Sequence, residues 1–285
     1  MQVHLLGCGD LGTAVGLALA ARGDAPLALR RSPQHLPAEL PAQALDYTDP
    51  QAVAALASNP ADLTLLTPTP VARDVAGYRQ GYLTPVENLL AAWSGGPPRS
   101  LIYVSSTRVY GDRLGDWVDE VTPVAASDGQ GQVLVEAEQR LLESHHDVSV
   151  VRFSGIYGRV PSRVLSRIQG GEIVRPEPVH YSNRIHRDDC VGFLLHLIDS
   201  EQREPVYLAS DDAPAALHEV EYWLAQQLAV DQPQAVLAPP GASRRCRNDS
   251  LKRSGYKLLY PDYRAGYSAM MASTSMAAPR GKAAT

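Results

Sequence analysis

Gly7, Gly9 and Gly12 stand at G-x-G-x-x-G spacing, directly after the apolar run 1–6 and directly before the small-residue stretch 13–23. Glycines so placed can bind a dinucleotide: the first permits a tight turn, the second lets a pyrophosphate approach the backbone, and the third lets a helix pack closely on a strand. Gly7, Gly9, Asp10, Leu11 and Gly12 are therefore the expected phosphate-facing residues. The free N–H groups at a helix start and the positive end of its dipole favour that negative charge. Arg30, Arg31 and Ser32 close a second apolar run, 26–29. An acidic residue there would bind the ribose 2′-hydroxyl of NAD, whereas arginine and a hydroxyl suit the 2′-phosphate of NADP. With no Asp or Glu competing, NADP is expected in preference to NAD; the alternative is two arginines ending a strand in solvent. Asp46, at the end of the run 44–47, could accept from an adenine amino group or form a turn before Asp49 and Pro50. Thr67 opens a proline-stiffened loop, 67–70, expected beside the cofactor.

These residues require alternating strands and helices. After the strand at the N-terminus and the helix 13–23 come strands at 26–29 and 44–47, a helix over 51–58 and a strand over 61–67. A helix over 78–93 follows, bent by Pro85. Gly95, Gly96, Pro97 and Pro98 end it. Strands at 100–104 and 150–153, a helix at 190–198, a strand at 206–210 and an amphipathic helix over 217–228 complete the pattern, which reads as α/β with a parallel sheet. From residue 269 the chain is expected to become a disordered tail, because Ala, Ser, Thr, Pro, Gly and Lys come to dominate it.

The 285 residues are 45% hydrophobic, enough for one large or two modest domains. A net charge of −5 gives no general attraction to nucleic acid or to an anionic membrane, and neither is expected as a partner. No apolar run has the length of a membrane span and no cleavable leader precedes the first strand, so a cytoplasmic protein is expected. Cys8, Cys190 and Cys246 are far apart and suggest neither a disulfide framework nor a zinc site; no metal is expected.

The strand 100–104 with Ser105, Ser106, Thr107, Arg108, Val109, Tyr110 and Gly111 resembles the active-site segment of extended short-chain dehydrogenases/reductases, the group of sugar-nucleotide epimerases and dehydratases. Arg152 through Tyr157 and Gly158 is similar to the family's R-x-x-x-x-Y-G turn. Asn183 to Asp189 is similar to its segment leading into the last core helix. The resemblance spans about residues 1–268. It implies a Rossmann-type doubly wound parallel sheet with a small C-terminal substrate-side domain. The cofactor domain would take residues 1–155 and about 188–210, and the substrate-binding domain about 156–187 and 211–268. A small-molecule substrate, anionic in one version, and a homodimer are the partners that remain open.

In this family a tyrosine acts as acid/base, a lysine four residues later lowers its pKa, and a Ser or Thr polarises the substrate oxygen. Ser106 matches the Ser/Thr position. Gln130 and Leu134 fall where the tyrosine and lysine belong, and residues 122–142 contain neither type. The chain thus resembles an atypical subgroup without the pair. Three residues are candidates to replace it. Tyr110 and Tyr157 could reach the cleft or pack beneath it. His186 could be the acid/base, bind an anion, or cap Asp188. Arg244, Arg245 and Arg247 could clamp an anionic substrate or lie on a solvated surface. Two functions follow: an NADP-dependent oxidoreductase or epimerase-like enzyme acting on a small polar substrate, or a non-catalytic NADP(H)-binding redox sensor. A structural partner subunit is the third and weakest.

Overall fold

The structure, a computed structural model, describes residues 1–238 and 241–277. Its centre is a seven-stranded parallel sheet built from β1 (Gln2–Leu6), β2 (Ala25–Arg30), β3 (Ala42–Ala44), β4 (Leu63–Leu66), β5 (Ser100–Ser106), β6 (Asp147–Phe153) and β7 (Val206–Ala209). The order across it is β7-β6-β5-β4-β1-β2-β3. Order reverses between β1 and β4, so the carboxyl ends of those strands open the crevice where doubly wound sheets bind ligands. All four residues of β4 are buried, as expected of a strand covered on both faces.

Two helical layers supply that cover. On one face lie α1 (Asp10–Ala21) and α4 (Arg187–Asp199); on the other lie α2 (Thr84–Ala92) and α3 (Gly129–Leu142). In α1 the buried residues Gly12, Val15, Gly16 and Leu19 form a stripe at helical spacing, and Gly23, at φ +91°, follows the helix end. The expected helix over 78–93 is instead composite. An α turn at Val75–Tyr78 continues as a π-helical turn at Arg79–Leu83, and Pro85 sits in the first turn of α2. Proline is tolerated there because the first-turn N–H groups lack helical partners.

A separate apolar cluster forms a smaller lobe, joining Ile168 to α5 (Leu217–Gln227) and α6 (Tyr263–Ala277). Tyr263, Tyr267 and Met270 make the buried stripe of α6. The expectation of a tail from residue 269 is corrected here: residues 269–277 continue α6. Only residues 278–285 of that expected tail lie outside the described residues. No described helix is long and apolar enough to cross a membrane.

At the joint between sheet and lobe, Asp211 is 1% exposed and accepts one backbone hydrogen bond, from Ala213 at 3.2 Å. Burial pushes its carboxyl up to about 7, against the pull of Arg184. A carboxyl raised above its unfolded value takes up a proton on folding, so its stabilising contribution is complete at acid pH and is lost as pH rises from about 4 to about 7. Asp211→Asn should flatten that decline and raise stability at pH 8 by about 1–3 kcal/mol, read by urea denaturation across pH.

Candidate functional site

The glycine turn is held by contacts no larger residue would permit. Gly7 has φ +71°, and a Cβ there would lie 2.8 Å from the Thr67 carbonyl oxygen and 2.9 Å from the Tyr47 ring. Thr67 Oγ1 donates to the Gly7 carbonyl at 3.0 Å, so this threonine supports the turn from below. Gly9 differs: a Cβ on it would meet only the Gly7 carbonyl oxygen, at 3.7 Å. The space above Gly9 is therefore open. The tightest approach of helix to strand, expected at Gly12, belongs to Gly16, where a Cβ would stand 2.6 Å from Leu5. Gly12 instead faces Thr67 Oγ1, at 3.2 Å from its virtual Cβ.

Two cavities meet at this turn. One, of about 390 Å³, is lined by Gly7, Gly9, Arg30, Arg31, Ser32 and Asp46 among others. The second, of about 850 Å³, is lined by Gly9, Asp10, Leu11 and Thr67 at one end and by Ser105 and Ser106 at the other. Gly9 and Thr69 border both. Of the expected cofactor residues only Gly12 lines neither; it acts through packing. Arg30 is steadied by donating to the Cys8 carbonyl at 3.2 Å. Asp46 lines the first cavity, and its Oδ1 accepts from the Thr48 amide at 2.9 Å and hydroxyl at 2.7 Å, as in the turn alternative. Burial raises the Asp46 pKa, but those bonds and Arg31 more than offset it and leave the carboxyl below its usual range.

Ser106 ends β5 at the wall of the larger cavity, its Oγ accepting from the Arg108 amide at 3.2 Å. Its neighbour Ser105 points to structure, donating to Glu138 at 2.5 Å. Glu138 pairs with Arg152 at 2.7 Å, and Arg152 donates to the Tyr110 hydroxyl at 2.9 Å. These buried groups tie β5, α3 and β6 together.

The sequence candidates for acid/base are accordingly corrected. Tyr110 is fully buried, burial pushes its phenol up to about 12, and it does not line the cavity that holds Ser106. His186 is the N-cap of α4, its Nδ1 accepting from the Asp188 amide at 3.2 Å, with the Tyr260 ring 4.0 Å away. Burial lowers its pKa, and of its three roles the structure shows the cap. Tyr157 wedges between His186 and Tyr267, and burial drives its phenol far above the ordinary value.

Gln130 and Leu134 are also occupied. Leu134 is fully buried beside Val109 and Val118. Gln130 accepts from Arg108 at 3.2 Å and donates to the Arg73 carbonyl at 3.2 Å. Tyrosines from a different element line the cavity with Ser106. Tyr78 lines the same cavity as Ser106, with Arg108 Nη1 3.5 Å from its hydroxyl, and it stacks on Tyr82 at 5.3 Å. The π-helical turn permits this arrangement. Gly77 and Gly81 press on backbone, their virtual Cβ atoms 2.4 Å from Ala72 N and 2.2 Å from Thr69 O, while the adjoining tyrosines face the cavity. The repeated Gly-Tyr at 77–78 and 81–82 was the signal in the sequence.

The three arginines of the expected clamp separate. Arg245 lies between the Trp117 and Tyr181 rings, at 4.9 and 4.8 Å, and Arg247 lies over Trp117 at 5.3 Å. Arg244 alone lines a cavity, one of about 440 Å³ shared with Arg108, Asp112 and Asp128.

No protein-family model and no curated protein matches the chain. Solved structures do. A Methylobacillus flagellatus protein assigned to the NAD-dependent epimerases/dehydratases is 32% identical, with TM-score 0.80 over 96% of this chain and 98% of that one. A conserved Silicibacter pomeroyi protein of unknown function is 26% identical, with TM-score 0.78 over 95% and 98%. MoeE5, solved with UDP-glucuronic acid and NAD, shares the fold at 17% identity and TM-score 0.78 over 97% and 99%. Sheet order and glycine turn define a Rossmann-type α/β protein. The chain belongs to the NAD-dependent epimerase/dehydratase-like family, the extended short-chain dehydrogenases/reductases.

Gly7→Ala tests the turn directly. Positive φ and the Thr67 contact should together cost about 1–3 kcal/mol in chemical denaturation. Dinucleotide binding, read by calorimetry, should be lost at temperatures where the variant remains folded.

Proposed function

We propose that the chain binds NADP(H) along the two joined cavities and acts on a small polar substrate whose hydroxyl or carbonyl lies beside Ser106. The carrying observation is the juncture of the cavities at Gly9, where open space lies over the glycine turn between an arginine-lined end and a serine-lined end. Arg30, Arg31 and Ser32 would hold the 2′-phosphate, Asp46 the adenosine, and the α1 amides the pyrophosphate. A bound nicotinamide supplies hydride exchange with the substrate carbon. The remaining work falls to side chains of the chain itself. Ser106 donates a hydrogen bond to the substrate oxygen. Tyr78 exchanges the proton at that oxygen, its hydroxyl 3.5 Å from Arg108 Nη1. Arg244 and Arg108 would hold an anionic part of the substrate in the adjoining cavity. A nucleotide sugar has such an anion, and UDP-glucuronic acid is what MoeE5 was solved with.

Replacement of the family's tyrosine and lysine by Gln130 and Leu134 favours a second reading, an NADP(H)-binding redox sensor. Calorimetric titration with NADPH, NADP⁺, NADH and NAD⁺, followed by carbonyl and nucleotide-sugar panels, separates the two. The enzyme should bind NADP(H), lose it in Arg30→Ala/Arg31→Ala, and turn over a panel member. Ser106→Ala and Tyr78→Phe should each slow turnover more than about tenfold with cofactor affinity kept. Absent turnover, with NADPH and NADP⁺ bound at different affinities, would establish the sensor instead.

A further inference from the structure

The first turn of α1 carries a charge that a dinucleotide site would not be expected to tolerate. Asp10 lies at the helix N-terminus, lining the larger cavity where a pyrophosphate would approach Gly9, and an uncompensated carboxylate there would repel it. It is compensated twice. Arg187, at the start of α4, reaches it through Nε at 2.7 Å and Nη2 at 3.1 Å, and Arg159, just beyond Tyr157 and Gly158, through Nε at 2.9 Å.

The two arginines are not equivalent. Arg187 makes a two-point contact, also pairs with Asp188 at 3.1 Å, and keeps 25% of its side chain exposed. It is a fixed counter-charge. Arg159 makes a single contact, leaves 66% of its side chain exposed, and lines the same cavity as Gly9, Leu11 and Ser106. Among the described residues, neither of its Nη nitrogens has a hydrogen-bond partner. A guanidinium held by one edge over an open cavity has its other donors free for a phosphate, which it matches with paired N–H groups.

We infer that Arg159 is a pyrophosphate-binding residue held in readiness by Asp10. It releases the carboxylate, or shares it, when the phosphates arrive, while Arg187 keeps Asp10 neutralised. The inference rests on the cofactor reading above and adds to it a side-chain ligand from the far wall of the cleft. The cofactor thereby links the glycine turn to the segment after Tyr157.

The test is calorimetric titration of the full chain with two probes: NADPH, which has the pyrophosphate, and adenosine 2′-monophosphate, which has the adenine end and 2′-phosphate without it. Arg159→Gln should raise the Kd for NADPH about tenfold and leave the monophosphate unchanged. It should also weaken the salt dependence of NADPH binding, because one exposed ionic contact is lost. Asp10→Asn, which removes the competing carboxylate, should tighten NADPH by a few fold. Wild-type NADPH affinity in Arg159→Gln, or an equal loss for both probes, would overturn the inference. So would an Asp10→Asn variant that loses NADPH affinity and thermal stability together, since the three residues would then be only a fastener between elements. A wild type that binds neither probe would fail the cofactor reading itself, which a wild-type-like Arg159→Gln would not.

Discussion

Everything at the ligand-facing edge of the sheet depends on how closely α1 and the glycine turn approach β1 and β4. A side chain at Gly7 would strike the backbone at Thr67, and one at Gly16 would strike Leu5. The turn can therefore stand directly over the strand ends, with open space above Gly9. Interiors packed this closely do not deform by small amounts, so the approach sets where a ligand can lie. The loop 67–70 is fixed from two sides, by the Thr67 bond to Gly7 and by Gly81 pressed against Thr69.

The helix α3, where the family's tyrosine and lysine would be expected, is engaged in packing. In α3, Leu134 belongs to the apolar core, and Glu138, one turn later, belongs to a buried pair with Arg152. Burial raises the Glu138 pKa and Arg152 opposes that rise. A buried pair of this kind resists loss of either partner more than it adds net stability. The helix has thus become structural along this face. Tyr78, on the segment before α2, lines the cavity with Ser106, and Arg108 borders the adjoining one.

Charge along the groove is graded. Arg30 and Arg31 stand at one end and Asp46 at their side, Asp10 at the middle is offset by Arg159 and Arg187, and Arg73 lines the cavity that holds Ser106. The cation–π stacks of Arg245 and Arg247 on Trp117 lie outside this gradient and instead tie residues 245–247 to the short strand Trp117–Val118 that pairs with them.

How much of this was legible depended on the distance over which each signal acts. The glycine turn, the Arg30-Arg31-Ser32 strand end, the strand–helix alternation and the lack of tyrosine and lysine in 122–142 all lie within a few residues of one another along the chain, and all could be read there. Asp46 and Thr67 both line the groove, and only the fold shows that Thr67 hydrogen-bonds the Gly7 carbonyl. His186, Tyr110 and Tyr157 were equally plausible by residue type. Burial, which no local pattern measures, placed them in a helix cap and in packing. Tyr78 beside Arg108 and Asp10 between Arg159 and Arg187 are pairings across tens to well over a hundred residues. The sequence by itself determined which chemical groups this protein possesses and where its backbone can turn, because those depend on residue type and short spacing. Only the tertiary structure decided which of those groups share a cavity, because that depends on packing between elements distant in the chain.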